Sequence, residues 1–247
     1  MAKTISDQVH ALCLGFPETE GVISHGFPHF KVSGKVFASF TINHHGDGRV
    51  ALNVASQPGA QQLYTEMEPN HYFVPPYVGP KGWLGMQLNQ DLDWKTIANR
   101  VREAWEHIAP KHLVNELEET PYVDAPDVPM SLEDIDPFLR SRAVEVMGLL
   151  QNLCEKLPET IPATQFGNPV WKAGKKTYVS SHYYKGRLAL QFWVGADQQS
   201  LLSYDERYTI PAFIGHNGWI ELDVEDFADW EEIEALLLLS YRHFALK

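Results

Sequence analysis

The residues best suited to chemistry in this sequence are basic and aromatic, and they recur in order. Lys31, Lys35 and Arg49 precede Gly79-Pro80-Lys81-Gly82-Trp83. Lys172, Lys175, Lys176 and Arg187 precede Gly215-His216-Asn217-Gly218-Trp219. Cationic side chains beside an aromatic plane can grip a phosphate chain or a carboxylate while the ring stacks on a base or ligand. The candidate binding residues are therefore Lys31, Lys35, Arg49, Lys81, Trp83, Lys172, Lys176, Arg187 and Trp219. Each has a plainer reading. Strand lysines commonly protect a sheet edge. The two arginines can pair with carboxylates, and a tryptophan after a glycine turn can pin that turn to the core.

No catalytic constellation accompanies them. The chain has no Gly-x-Ser-x-Gly, His-Glu-x-x-His or Gly-x-Gly-x-x-Gly. Ala173-Gly174-Lys175-Lys176-Thr177 resembles the end of a phosphate-binding loop, but it falls in a hairpin with its other glycine at the wrong spacing. Histidines gather early in the chain, at His25, His29, His44, His45 and His71. A metal needs three or four converging ligands, and adjacent His44 and His45 would point apart on a strand. We read them as a surface cluster, with His182 matching His44 in the second half. No metal, cofactor or enzymatic activity is expected.

The pentads lie 136 residues apart, and the surrounding sequence repeats with them. Residues 13–37 align on 154–178 without a gap, at an offset of 141. Cys13-x-x-x-Pro17-Glu18-Thr19 matches Cys154-x-x-x-Pro158-Glu159-Thr160, and Gly26-x-Pro28 matches Gly167-x-Pro169. After a turn three residues shorter, Arg49-Val50-Ala51-Leu52 matches Arg187-Leu188-Ala189-Leu190. Trp94 matches Trp230 beyond the pentads. Two units of this length mean duplicated domains rather than a stacked solenoid.

Within the first unit, a helix near Val9, Leu12 and Cys13 is capped by Ser6 or Asp7 and ends at Gly15-Phe16-Pro17. A loop follows from Glu18 to Pro28. Phe30-Val32 and Val36-Phe40 form a hairpin through Gly34, and Arg49-Val54 alternates as a third strand. A helix from Pro58 to about Met67, strands at Tyr72-Val74 and Trp83-Leu88, and a helix capped by Asp91 or Asp93 and running to Ala109 complete it. Trp94, Ile97, Ala98, Val101, Trp105 and Ile108 give that last helix one apolar face. The fold class is α+β: two tandem domains, each an antiparallel sheet with helices on one face, in the order α-β-β-β-α-β-β-α. The boundaries are 1–110, an acidic proline-containing linker or surface strap at 111–137, and 138–247.

These features resemble the MmcQ/YjbR-like family, twice over. They are the short first helix ending in Pro17-Glu18, the Phe30-Lys31-Val32-x-Gly34-Lys35-x-Phe37-Ala38 hairpin, Arg49, the glycine turn before Trp83, and Asp93-Trp94. The resemblance implies a fold like bacterial frataxin and secretion chaperones, with hairpins likened to wings that contact DNA. The family's turn usually reads Asn-Lys-Lys-His-Trp. Here the first copy keeps Lys81 behind Pro80, and the second has His216-Asn217 and no lysine.

The net charge of −12 bears on partners. Residues 110–139 carry one basic and eight acidic side chains, so more than half the excess lies there and each copy is nearly neutral. An acidic chain repels phosphate backbones at long range. No apolar run approaches a membrane span, and polar Ser6-Asp7 interrupts any secretory h-region. Two cysteines at matching positions read as buried thiols, which points to a reducing cytoplasmic setting. The expectation is a binding protein with weak, salt-dependent nucleic-acid contact through its basic hairpin and strand faces. The alternatives are a protein-interaction module or a small-ligand pocket near the pentads.

Overall fold

The computed structural model describes residues 2–184 and 186–245. The chain divides into two compact units, Met1–Ile135 and Asp136–Lys247.

The first unit opens with α1 (Ile5–Leu14). Its cap is Thr4 rather than Ser6 or Asp7. Thr4 Oγ1 accepts from Asp7 N at 3.2 Å, and Asp7 Oδ2 accepts from Thr4 N at 2.9 Å. This reciprocal pair satisfies two of the amides that a helix start leaves unbonded. Next come β1 (Thr19–Ser24), β2 (Phe27–Val32), β3 (Lys35–Ile42) and β4 (Val50–Val54). The unit continues with α2 (Ala60–Met67), β5 (Tyr72–Phe73), β6 (Leu84–Gln87) and α3 (Trp94–Ile108). Among the described residues the strands form one antiparallel sheet, ordered β1-β2-β3-β4-β6-β5. That is one strand more than expected, because Glu18–Pro28 is not a loop: β1 pairs with β2 from Thr19↔Val32 to Ser24↔Phe27. Ser33 and Gly34, both at positive φ, close the β2–β3 hairpin in the mirror-image turn that suits strand twist.

The core lies between one sheet face and α1 and α3. Val9, Leu12 and Cys13 meet Phe30, Phe37, Leu52 and Met86, with Ile97, Val101 and Trp105 behind them. Each large apolar side chain buried this way contributes about 1.5–3 kcal/mol. Asp93 caps α3 by accepting from Thr96 N at 3.1 Å. The acidic segment expected as linker or strap lies along the first unit as far as Ile135. It includes α4 (Lys111–Glu116) and α5 (Leu132–Ile135). Leu113 and Ile135 are buried in the core. Between them the chain is tied by Gln8 Nε2 to Asp124 O at 2.5 Å and by Lys3 N to Asp127 Oδ2 at 2.8 Å.

The second unit repeats the order with α6 (Ser141–Cys154), β7 (Thr160–Gln165), β8 (Asn168–Ala173), β9 (Lys176–Tyr184) and β10 (Arg187–Trp193). Then come α7 (Ala196–Leu202), β11 (Tyr208–Thr209), β12 (Trp219–Asp223) and α8 (Trp230–Ala245). Its sheet has the same order, β7-β8-β9-β10-β12-β11. Leu188, Leu190, Phe192, Ile220 and Leu222 face Val146, Leu150, Ile233 and Leu237 from the two long helices. Alternation then places Ala189, Gln191 and Glu221 on the opposite, helix-free face, while the Trp219 ring at the strand end stacks on Phe244 of α8, centroids 5.8 Å apart. No helix among the described residues is long and apolar enough to cross a membrane.

Candidate functional site

Each pentad is a corner built the same way. Gly79–Lys81 and Gly215–Asn217 make single 3₁₀ turns, and Gly82 and Gly218 follow at φ 83. A glutamine on the short helix clamps each corner. Gln61 Nε2 donates to Gly79 O at 2.8 Å and Trp83 O at 2.5 Å. Gln199 Nε2 donates to Gly215 O and Trp219 O, both at 2.7 Å. Sequence reading missed this pair, although Gln61 and Gln199 share the offset that aligns Arg49 with Arg187. Trp83 is half-buried against the first core. Trp219 is buried in the second unit.

The basic candidates do not converge on one surface within a unit. Lys31 and Lys172 are half-buried at matching β-bulges. Lys35 and Lys176 are exposed at the hairpin tips, and Lys81 is exposed in its 3₁₀ turn. Both arginines are engaged by their own chain. Arg49 pairs with Asp47 at 3.4 Å and lies 4.4 Å over the Phe73 ring. Arg187 holds Asp223 through its Nε and Asp226 through Nη2, the latter at 2.7 Å. These bonds push the Arg187 guanidinium further up from its ordinary range, Asp223 contributing most.

The helix-free face of the second sheet carries a more organised group. A groove of about 640 Å³ runs over β8, β9, β10 and β12, walled by Gln165 and Phe166 on one side and by Ile210–Ile214 on the other. Glu221 lies in its base with its side chain only 7% exposed. Gln191 Nε2 donates to Glu221 Oε2 at 3.0 Å, and His182 Nε2 meets the same oxygen at 3.0 Å. Ser180 Oγ donates to Gln191 Oε1 at 2.9 Å, extending the network across three strands. A buried carboxylate is costly unless hydrogen-bonded or paired, and here both partners sit on Oε2. Oε1 has no donor among the described residues. His182 Nδ1 is also buried without a partner among the described residues. Val170, Ile210, Pro211 and Trp219 supply apolar lining. Phe166 and Phe213 stand at the rim, 68% and 87% exposed. Ser180 bonds Gln191 rather than His182, so among the described residues no hydroxyl is hydrogen-bonded to the imidazole as a nucleophile would be.

The first unit treats the corresponding face differently. Sheet register places Phe73 and Gly85 where the second unit has Thr209 and Glu221. The Phe73 ring lies on Gly85 so closely that a Cβ there would be 2.5 Å from ring carbons. Register also corrects the histidine match. His182 pairs with Ala189, and the residue paired with Ala51 is Thr41. His44 instead sits in a 3₁₀ turn after β3, with its ring centroid 4.1 Å from that of His45. The three-residue deletion lies in the turn that follows, so β9 keeps the earlier offset of 141 to β3 along its length.

Comparison with known proteins agrees with this doubled architecture. No curated protein matches the chain. The crystal structure of the Deinococcus radiodurans protein DR2400, with family-model domain DUF419, is similar at 18% identity and a TM-score of 0.33, covering 37% of this chain and 72% of that one. The family model YjbR matches residues 14–107 and again 155–243. The chain therefore belongs to the YjbR family and carries its domain twice in tandem.

Proposed function

We propose that this protein is a non-enzymatic binding protein that takes a small ligand in the open-face groove of its second domain. One observation carries the reading: the Glu221 side chain, only 7% exposed, sits in the base of a cavity of about 640 Å³. That volume lies in the range of drug-sized ligand sites, which pair apolar walls with a few converging polar groups. The neutral fluorescent probe N-phenyl-1-naphthylamine tests it. The expected result is bright, saturable fluorescence with the intact chain. The double variant Thr209→Phe, Glu221→Gly transplants the first domain's pair and should abolish the signal. Equal binding by that variant, with its fold intact by circular dichroism, would refute the groove.

Nucleic-acid contact is a second reading, supported by Lys35 and Lys176. They occupy matching hairpin tips, are exposed, and form no ion pair among the described residues. It predicts duplex DNA binding at low salt that falls steeply as salt rises and weakens in Lys35→Ala, Lys176→Ala. No binding at low ionic strength would remove it. The engagement of Arg49 and Arg187 by their own carboxylates favours the groove over this reading.

A further inference from the structure

Resting on the groove reading, we infer that its ligand is an organic cation: an ammonium or amidinium group carried on an apolar, aromatic-sized body. The groove's charge is the first ground. Glu221 is buried to 7% side-chain exposure, and both of its protein contacts fall on Oε2. Oε1 is left without a donor among the described residues. An N–H donor bearing positive charge is its best complement, because charge-assisted bonds are roughly twice as strong as neutral ones. An anion brought to the same base would meet a like charge.

The walls are the second ground. Val170, Ile210, Pro211 and Trp219 offer apolar surface, and Phe166 and Phe213 extend it at the rim. A bare inorganic cation would leave this surface unused, whereas an aromatic body would bury it.

The third ground is the other copy of the domain. Where the second unit is open, the first unit holds the Phe73 ring against Gly85, with the Arg49 guanidinium 4.4 Å over it. An aromatic ring and a cation from the chain itself thus fill that position. In the second unit, Thr209 stands where the first has the ring, and a carboxylate stands where it has the glycine. The counterpart of Arg49, Arg187, is held by Asp223 and Asp226. The second copy lacks this internal aromatic–cation pair and carries a buried acid instead, which is the complement of an external one.

Competition against bound N-phenyl-1-naphthylamine tests this with the full chain. The competitors are benzamidine and phenethylamine, both cationic at neutral pH, with benzamide as neutral shape match and benzoate as anion. The cations are expected to displace the probe at concentrations at least about tenfold lower than benzamide, corresponding to roughly 1.4 kcal/mol. Benzoate should be weaker still. Glu221→Gln should remove the advantage of the cations over benzamide. Calorimetry should give one site per chain, because Phe73 fills the first domain's counterpart. Benzamide matching benzamidine on the unaltered chain would overturn the cation inference and leave the groove standing. An undiminished cation advantage in Glu221→Gln would do the same. Failure of the probe itself to bind would overturn the groove reading and this inference together.

Discussion

Replacing the second glycine of each pentad by alanine should separate two costs that the sequence cannot tell apart. Gly82 and Gly218 have the same φ of 83°. An alanine at either must adopt the left-handed region, at about 1–2 kcal/mol. A stiffer unfolded chain offsets this by roughly 0.4–1 kcal/mol. The surroundings then differ. A Cβ at Gly82 meets nothing within 4 Å, whereas one at Gly218 sits 2.8 Å from Gly195 Cα, 3.0 Å from its carbonyl carbon and 3.1 Å from its nitrogen. Gly195 cannot retreat freely, because Val194 N and Gly195 N both donate to Gly218 O, at 2.9 and 3.1 Å. Forced overpacking of this kind costs about 1–3 kcal/mol. Gly82→Ala should therefore cost about 1 kcal/mol in its own domain, and Gly218→Ala about 3 kcal/mol in the other. Hydrogen exchange read by mass spectrometry on the full chain resolves the domains, through amides of β4 and β6 against those of β10 and β12. A Gly218→Ala cost no greater than that of Gly82→Ala would refute the reasoning.

Three further outcomes are expected. His71 bonds Asp91 at 3.1 Å and Glu68 at 3.0 Å, which raises its pKa, while the Asp91 carboxyl is held below its ordinary value by His71. The histidine's contribution is complete below its unfolded value of about 6.5 and is lost as pH rises through the higher folded value; the aspartate's is complete above about 3.9 and lost as pH falls through the lower one. Exchange protection of β5, corrected for intrinsic rates, should fall between pH 6 and 8 in the unaltered protein and stay flat over that range in His71→Gln. Arg187→Ala should leave the denaturant midpoint of the second domain nearly unchanged, since exposed ion pairs contribute little; a large drop in that midpoint would contradict the surface assignment. Burial pushes the Cys154 thiol up to about 12 and raises Cys13 as well, so neither should react with a thiol reagent at pH 8 until the chain is unfolded.

Much of the fold was legible because its signals are local. Trp94, Ile97, Val101 and Trp105 recur at helical spacing and are buried together. Gly34 marks its hairpin, and the repeated pentads mark the duplication. β1 was not legible: it is an edge strand whose residues are exposed or half-buried, so no alternation is impressed on its sequence. Thr4 was overlooked as the cap of α1 because several polar residues precede the helix and only hydrogen-bond geometry chooses between them. The candidate basic residues were legible as types but not as a site, because their engagement depends on acids brought near by the fold, such as Asp223 and Asp226 for Arg187.

The sequence alone determined that one domain is written twice, since duplication is a property of order and spacing. It also determined which residues face the core, since burial imposes a period on the strands and helices that carry them. Only the tertiary structure decided where the copies part. In Trp219-Ile220-Glu221-Leu222-Asp223 the glutamate reads as one more outward-facing acid on an alternating strand. It becomes a largely buried carboxylate at the base of a groove because β9 and β10 bring His182 and Gln191 beside it and Ile210–Ile214 forms a wall. Those neighbours are set by strand pairing across long sequence separations, and no local pattern records them.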